Sequence, residues 1–428
     1  MGSDIMRLPY RGGNWNNGAN AGLAALNLNN SRVNTNTNIG FRPAFGSSQK
    51  ATPHGALSSA LSKGCRCLGY RRKTEQAAPV RRAADFKALM YDQIISFDNL
   101  HQAALRCLCG KRTSPAALRY MQRLEEHLHD THNHLLHDSY QPGGYEEFYV
   151  FEPKQRLISA PRFVDRVVHR AILNVLEPTL DPRFIFDSYA CRKGKGVHAG
   201  ANRAQRWMRA IRQAHGPLFC LKADISKYFA SVDHARLKAI LRRHIHCDRT
   251  LRLLDAIIDS SPGRPGVGIP LGNLTSQLFA NLYLNELDRY AKHDLGIRYY
   301  IRYMDDFVVL HHDKAQLQAW RARIEQFLWS ALRLTTNSKT QIFPVGPDNG
   351  RALDFLGYRI YPTHRLLRKN SIKRIRYKLR RFKRAIAAGR LTAGDCRPCI
   401  QSWCAHAAHA NTWRLRCSLF NISSGANR

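Results

Sequence analysis

Nothing in the sequence is apolar for the roughly 18 consecutive residues that a membrane span requires, so no span and no membrane partner are expected. The opening residues Met1-Gly2-Ser3-Asp4 lack the basic-then-apolar order of a signal peptide, and a cytoplasmic location is expected. Eleven cysteines scattered over 428 residues do not form the dense framework of a small secreted protein, which fits a reducing compartment. No solenoid repeat is visible. Acidic side chains are scarce as well: 31 Asp and Glu face 67 Lys and Arg, a formal net charge of +36. An excess of that size attracts a polyanion through counterion release, and nucleic acid is the expected partner. What the chain does have is apolar matter. Hydrophobic residues make up 44% of it, enough to bury a core and to exclude wholesale disorder over two or three domains.

Composition changes sharply along the chain. Ten asparagines fall between Asn14 and Asn38, and a Gly/Ser/Ala/Arg-rich stretch follows to about Arg82, so residues 1–86 are expected to form a disordered extension. Helical periodicity begins near Phe86. Val164, Val167, Val168, Ala171, Ile172, Val175 and Leu176 lie on one helical stripe, with Pro178 expected to end it. Pro217 to Asp224 is a short apolar run that reads as a covered strand ending in a carboxylate. Asn273 to about Lys292 reads as helix, and so does Gln316 to Leu332. Between them, Arg298–Tyr303 and Phe307–Leu310 flank Met304-Asp305-Asp306 in the pattern of a hairpin with an acidic tip. This order, closed by strand-like Leu353 to Ile360, predicts an α+β fold: one antiparallel sheet with helices on one face.

Two adjacent aspartates at a hairpin tip repel each other unless a cation sits beside them. If the strand ending at Asp224 neighbours this hairpin, its carboxylate converges on Asp305 and supplies oxygen ligands suited to Mg²⁺. Two such ions about 3.5–4 Å apart activate an attacking hydroxyl and stabilise leaving pyrophosphate. Successive strand residues point to opposite faces, so Asp305 takes the stronger role and Asp306 a supporting one.

Tyr303-Met304-Asp305-Asp306 between apolar strands, with Leu221-Lys-Ala-Asp-Ile-Ser-Lys-Tyr-Phe229 about eighty residues upstream, resembles the catalytic palm of a reverse transcriptase. The resemblance runs from about Phe86 to the C-terminus. It implies a right-hand polymerase with helical fingers over 87–215, an antiparallel-sheet palm over 216–360 and a basic helical thumb over 361–428. It implies that Asp224, Asp305 and Asp306 bind two Mg²⁺ ions, with Mn²⁺ as an alternative, and that Ile225 lends a backbone carbonyl. Phe229 falls where an aromatic ring closes on the sugar C2′ and excludes a ribonucleotide. Lys339 matches a lysine near the triphosphate, and Leu353 to Tyr358 match the primer-gripping strands. Lys154, Arg156 and Arg192 in the fingers are candidates for holding the triphosphate, Arg192 the better of them; Lys193 and Lys195 are candidates for template contact.

The block Gly268-Ile-Pro-Leu-Gly-Asn-Leu-Thr-Ser-Gln277 narrows the resemblance. Many reverse transcriptases have Gln-Gly-x-x-x-Ser-Pro here. This chain has Leu271 and Gly272, then Ser276 and Gln277, which is similar to the enzymes of diversity-generating retroelements. A glutamine beside the nascent base pair offers a polar check that Leu271 lacks, so looser discrimination is expected. The family's errors fall at template adenines, and it acts with a small basic accessory variability protein that assembles as a pentamer; template RNA, the RNA/cDNA duplex and deoxynucleotides are the other implied partners. The Asn-rich segment resembles the lectin-like variable region diversified by such elements, so residues 1–86 are expected to be translated template repeat, with the authentic start near Met90.

Eleven Lys and Arg between Arg365 and Arg384 surround Ile372, Ile375, Leu379, Phe382 and Ile386 at helical spacing. One face is expected to pack and the other, with Lys373, Arg376, Arg380 and Arg381, to grip duplex phosphates. Cys396, Cys399, His406 and His409 follow the ligand order of a small zinc site, but the gap between pairs is too short and thumb packing is the preferred reading. Two alternatives stand beside the diversity-generating reading: a group II intron or retron polymerase, and a non-catalytic RNA-binding protein of the same fold.

Overall fold

The computed structural model describes residues 90–111, 113–151, 155–346 and 350–420. The Asn-rich segment and the rest of 1–86 lie outside the described residues, as does Lys154. Helices begin where the sequence supplies caps. Ser96 accepts the Asn99 amide at 3.3 Å to open α1 (Phe97–Leu108), and Ser114 with Pro115 opens α2 (Pro115–Gln122), where proline's missing N–H costs nothing. After α3 (Leu124–Leu136), strands β1 (Tyr145–Val150) and β2 (Arg156–Pro161) form an antiparallel hairpin, in register from Tyr145 opposite Pro161 to Val150 opposite Arg156. The apolar stripe expected on the next segment is buried in α4 (Phe163–Leu180). Pro178 does not end that helix. It sits in the last turn, where its ring removes one terminal hydrogen bond, and the Asp181 amide closes the end on the Glu177 carbonyl. Helix α5 (Val197–His215) follows and stops at Gly216, whose left-handed φ of +75° suits glycine.

The central part of the chain comprises β3 (Phe219–Asp224), the short α6 (Tyr228–Ser231), α7 (His234–His244), α8 (Asp248–Asp259), α9 (Leu274–Arg289), β4 (Tyr300–Tyr303), β5 (Asp306–His311), α10 (Lys314–Leu332) and β6 (Gln341–Pro344). Its four strands run antiparallel in the order β4-β5-β3-β6. Alternate residues enter different cores. Leu221, Ala223, Phe307 and Val309 pack with α9 and α10, whereas Cys220, Val308 and Leu310 pack on the other side with α5. Both faces are therefore covered, which corrects the expectation of helices on one face and explains why β3 and β5 read as continuous apolar runs.

A second sheet follows. Strands β7 (Leu353–Phe355), β8 (Tyr358–Ile360) and β9 (Arg365–Leu367) make one three-stranded sheet. Leu356 and Gly357, at φ of +53° and +87°, supply the tight turn between the first two. The thumb follows as α11 (Lys369–Ala387), α12 (Ala393–Ala408) and α13 (Trp413–Phe420). The apolar face of α11 packs through its first half only: Ile375 is buried, Ile372 and Leu379 lie against it, and Ile386 is exposed.

The thumb is moored to the palm by α12. Trp403 is fully buried there and donates its indole N–H to the Ser371 hydroxyl at 3.2 Å. His406 and His198 meet at the Tyr358 hydroxyl, at 3.0 and 2.9 Å, and His409 stacks on His198 with centroids 3.7 Å apart. Burial holds His198 at about 3 and His406 at about 4, both below the usual imidazole range, so the knot is uncharged at neutral pH. These histidines pack the thumb, and no metal-binding group of His, Cys, Asp or Glu is gathered among the described residues. Trp403→Ala should cost about 3–5 kcal/mol, and Trp413→Ala, at an exposed position, less than about 0.5 kcal/mol, measured by denaturant melts.

Candidate active site

The register of β3 and β5 places Asp224 directly opposite Asp306, and cross-strand partners share a face of the sheet. Asp305 lies in the turn between β4 and β5, after Met304, whose φ is +56°. A left-handed methionine costs roughly 1–2 kcal/mol, so the turn has to be held by its surroundings. The Asp305 carbonyl accepts the Ile225 amide at 3.2 Å, which joins the turn to the end of β3. From the loop before β6, the Asn337 amide donates to the Asp224 carbonyl at 2.6 Å, and its side-chain nitrogen reaches the Asp224 carboxylate at 3.4 Å.

Asp224, Asp305 and Asp306 are each half-buried, and the Asp224 charge is felt at both of the others. Burial, and after it the Asp224 charge, push Asp305 up to about 6, while Arg156 and Arg302 pull the other way. Burial pushes Asp306 up to about 7 against the pull of Lys222, with Asp224 and Asp305 adding to the rise. Lys222 Nζ stands 3.8 Å from Asp306 Oδ2 and donates to the Asp354 carbonyl at 2.7 Å; Arg368 pairs with the Asp354 carboxylate. Asp306 Oδ1 is buried without a hydrogen-bond partner.

An orphaned carboxylate oxygen and two carboxyls raised by burial and mutual repulsion fit a hard divalent cation, which relieves all three costs. Among the described residues no closed three-ligand cage exists, and Mg²⁺ does not need one: it is usually held by one or two carboxylates together with substrate phosphates.

The other residues singled out in the sequence fall in different places. Arg156 begins β2 and projects a charge felt at Asp305. Ser159 on the same strand donates its amide to the Leu271 carbonyl at 2.9 Å. Gly272 follows at φ +118°, where an added Cβ would meet Ile158 Cγ2 and the Ser159 carbonyl at 2.9 Å, so glycine allows the fingers strand to lie against this loop. Gln277 is half-buried in the first turn of α9. Phe229 is half-buried on α6, edge-on to Tyr228 at 5.7 Å, with its carbonyl taken by the Ile269 amide.

Arg192 does not present its guanidinium to the cleft. It pairs with Asp181 at 2.6 Å and donates to the carbonyls of Asp181, Ile185 and Ser188, so its charge is spent on fastening the loop before α5. Lys193 is exposed beside it, and Lys195 sits 3.3 Å from the centroid of the Phe186 ring. Lys339 is exposed, its amide held by the Asn337 side chain. Lys373, Arg376, Arg380 and Arg381 are exposed on α11. Sequence reasoning did not single out Lys222, Arg302, Asp288, Asn337 or Arg368. Charged residues within apolar strand runs were the available signal for Lys222 and Arg302.

Carboxylates at the facing ends of neighbouring strands, with the charge of Arg156 felt at Asp305, have the donor chemistry that nucleotidyl transfer requires. Residues 151–360 match the family model of reverse transcriptase (RNA-dependent DNA polymerase). The chain carries a reverse transcriptase domain, and the enzyme is an RNA-directed DNA polymerase. Protein YkfC of Escherichia coli (strain K12) is 29% identical over 290 residues, 58% of this chain and 73% of YkfC. The group II intron-encoded protein LtrA of Lactococcus lactis subsp. cremoris is 24% identical over 166 residues, 37% of this chain and 27% of LtrA. Among solved structures, apo telomerase from Candida tropicalis truncated from its C-terminal domain aligns at a TM-score of 0.43 with 11% identity, over 52% of this chain and 55% of that one.

Two predictions follow from this geometry. Holding a cation requires ionised carboxyls, and those of Asp305 and Asp306 take up protons near pH 6 and 7. Primer extension at fixed Mg²⁺ should therefore fall as pH drops from about 7.5 to 6, and the fall should move to lower pH as Mg²⁺ is raised, because cation and proton compete. Gly272→Ala should displace β2 and with it Arg156, lowering kcat/KM for deoxynucleotides by about 10- to 100-fold in single-nucleotide extension.

Proposed function

We propose that this chain copies a template-repeat RNA into cDNA with errors at adenines, as the polymerase of a diversity-generating retroelement. The observation that carries the reading is Leu271. By the resemblance it stands where many reverse transcriptases have glutamine; its carbonyl accepts the Ser159 amide of strand β2, and its side chain is apolar. A contact of that kind cannot test the hydrogen-bonding edge of a base and tolerates mispairs.

In this reading Asp224 and Asp305 hold two divalent ions, with Asp306 and the Ile225 carbonyl in support. When bound, such ions lower the pKa of the primer 3′-hydroxyl and stabilise charge on the departing pyrophosphate. The chain's own residues do the rest. Arg156 faces the triphosphate as a fixed positive charge, Lys154 is a second candidate for it by sequence, and Lys339 gives pyrophosphate its proton. Phe229 fills the space that a ribose 2′-hydroxyl would need. Lys193 and Lys195 meet template, and the exposed cations of α11 follow the duplex backbone, which in A-like form is read by shape. The copying takes place in the bacterial cytoplasm, with the template RNA and a pentameric accessory protein as partners, the gene being phage-borne or chromosomal. Residues 1–86 are translated template repeat and contribute nothing to catalysis.

The similarity to LtrA favours a second reading, a group II intron-type polymerase. The error spectrum separates the two. On an RNA template the parent chain should misincorporate opposite adenine far more often than opposite the other bases, and Leu271→Gln should lower that frequency by about tenfold, read by sequencing of cDNA. Even fidelity across all four bases would favour the intron-type reading, and unchanged adenine errors in Leu271→Gln would remove the role given to that residue. Asp305→Ala, as the inactive control, excludes a protein that only binds RNA.

A further inference from the structure

Arg302 and Asp288 form an ion pair with both side chains 0% exposed, and the chemistry described above gives neither of them a task. Arg302 lies on β4, two residues before Met304. Its Nε and Nη2 each donate to one Asp288 oxygen at 2.7 Å, a two-pronged bond that fixes the plane of the guanidinium. Asp288, on α9, also accepts the Tyr300 hydroxyl at 2.8 Å. The remaining N–H groups are spent as well: Nη1 donates to the Asn281 side-chain oxygen at 3.2 Å and to the Met304 carbonyl at 3.0 Å, and Nη2 reaches the Ser188 hydroxyl at 3.2 Å. The backbone of Arg302 is held too, its amide donating to the Asp187 carbonyl and its carbonyl accepting the Tyr189 amide, both at 3.0 Å. One side chain therefore clamps α9, the loop before α5 and the turn that carries Asp305.

The bond to Met304 matters most. A methionine does not adopt φ +56° by preference, and rotation of the following peptide would swing the Asp305 carboxylate. The guanidinium fork holds that peptide by its carbonyl. We propose that Arg302 is a positioning residue for polymerisation: it holds the left-handed turn that aims Asp305 at the reacting atoms, and Asp288 holds the fork in plane for that task. The inference rests on the polymerase reading of the site.

A purely structural role makes a different forecast. Removing both charges together from a buried site is close to neutral for stability, whereas removing one leaves the other unpaired. Arg302→Met combined with Asp288→Leu should therefore preserve the fold and lose the grip on Met304. Arg302→Lys keeps a charge for Asp288 but has no fork with which to reach the turn as well. The full chain and these two variants are compared by thermal melting, template–primer binding by anisotropy, and single-nucleotide extension across a Mg²⁺ titration. The double variant should melt close to the parent and bind template–primer with a similar Kd. Its kcat should fall by about 100-fold, with a higher Mg²⁺ requirement and a KM for deoxynucleotide within about threefold of the parent. Arg302→Lys should fall between the two. A folded double variant with kcat within about threefold of the parent overturns the inference, as does a loss confined to Kd or KM. Should the double variant fail to fold, a parental kcat in Arg302→Lys overturns it and a reduced kcat with a parental melt supports it. An active parent with an active double variant removes this inference alone; a parent that makes no cDNA with its accessory protein and cognate RNA removes the polymerase reading and this inference with it.

Discussion

Like charges held near one another in a half-buried place are the constraint on which this structure turns. The antiparallel register of β3 and β5 sets Asp224 against Asp306, and the turn brings Asp305 beside them. Left alone the three carboxyls oppose folding, since burial and repulsion raise the proton affinity of Asp305 and Asp306. The surrounding architecture answers that cost with fixed positive charges: Lys222 and Arg368 on the side of the three-stranded sheet, Arg156 from the fingers, and Arg302 from beneath.

The same cations connect domains. Lys222 touches both Asp306 and the Asp354 carbonyl, so the catalytic turn and the strands that follow the palm share one polar contact. Ser159 and Gly272 bring strand β2 against the loop that bears Leu271, so the positions of Arg156 and of that loop are set together. On the far side of the sheet, α5, β7–β9 and α12 share a core around Trp403 and Tyr358, which roots the basic thumb in the palm. Breaking a buried pair such as Arg302–Asp288 by removing one partner costs about 3–5 kcal/mol, a large share of a domain's net stability. Folding and catalysis thus depend on some of the same side chains.

Much of the fold was legible in the sequence where periodicity and burial coincide. The stripe of α4, the helix from Leu274, the amphipathic α10 and the acidic hairpin all appear near their expected bounds. The failures have particular causes. Pro178 reads as a stop because its ring forbids a helix interior, yet in a last turn it costs one bond. Arg192 reads as a phosphate ligand because a loop arginine beside lysines usually is exposed, yet Asp181 lies eleven residues upstream and claims it.

Residue order by itself determined the class of chemistry: which carboxylates end strands, and that a net charge of +36 seeks a polyanion. These are properties of local pattern and charge, and they survive any arrangement of the chain in space. Only the tertiary structure decided that both faces of the sheet are covered, that Arg192 is already engaged, and that a buried arginine reaches the carbonyl of Met304. The reason is physical. Burial and hydrogen-bond partnership depend on distances between residues far apart in sequence, and a side chain's task is set by the partners that fall within about 3 Å of it.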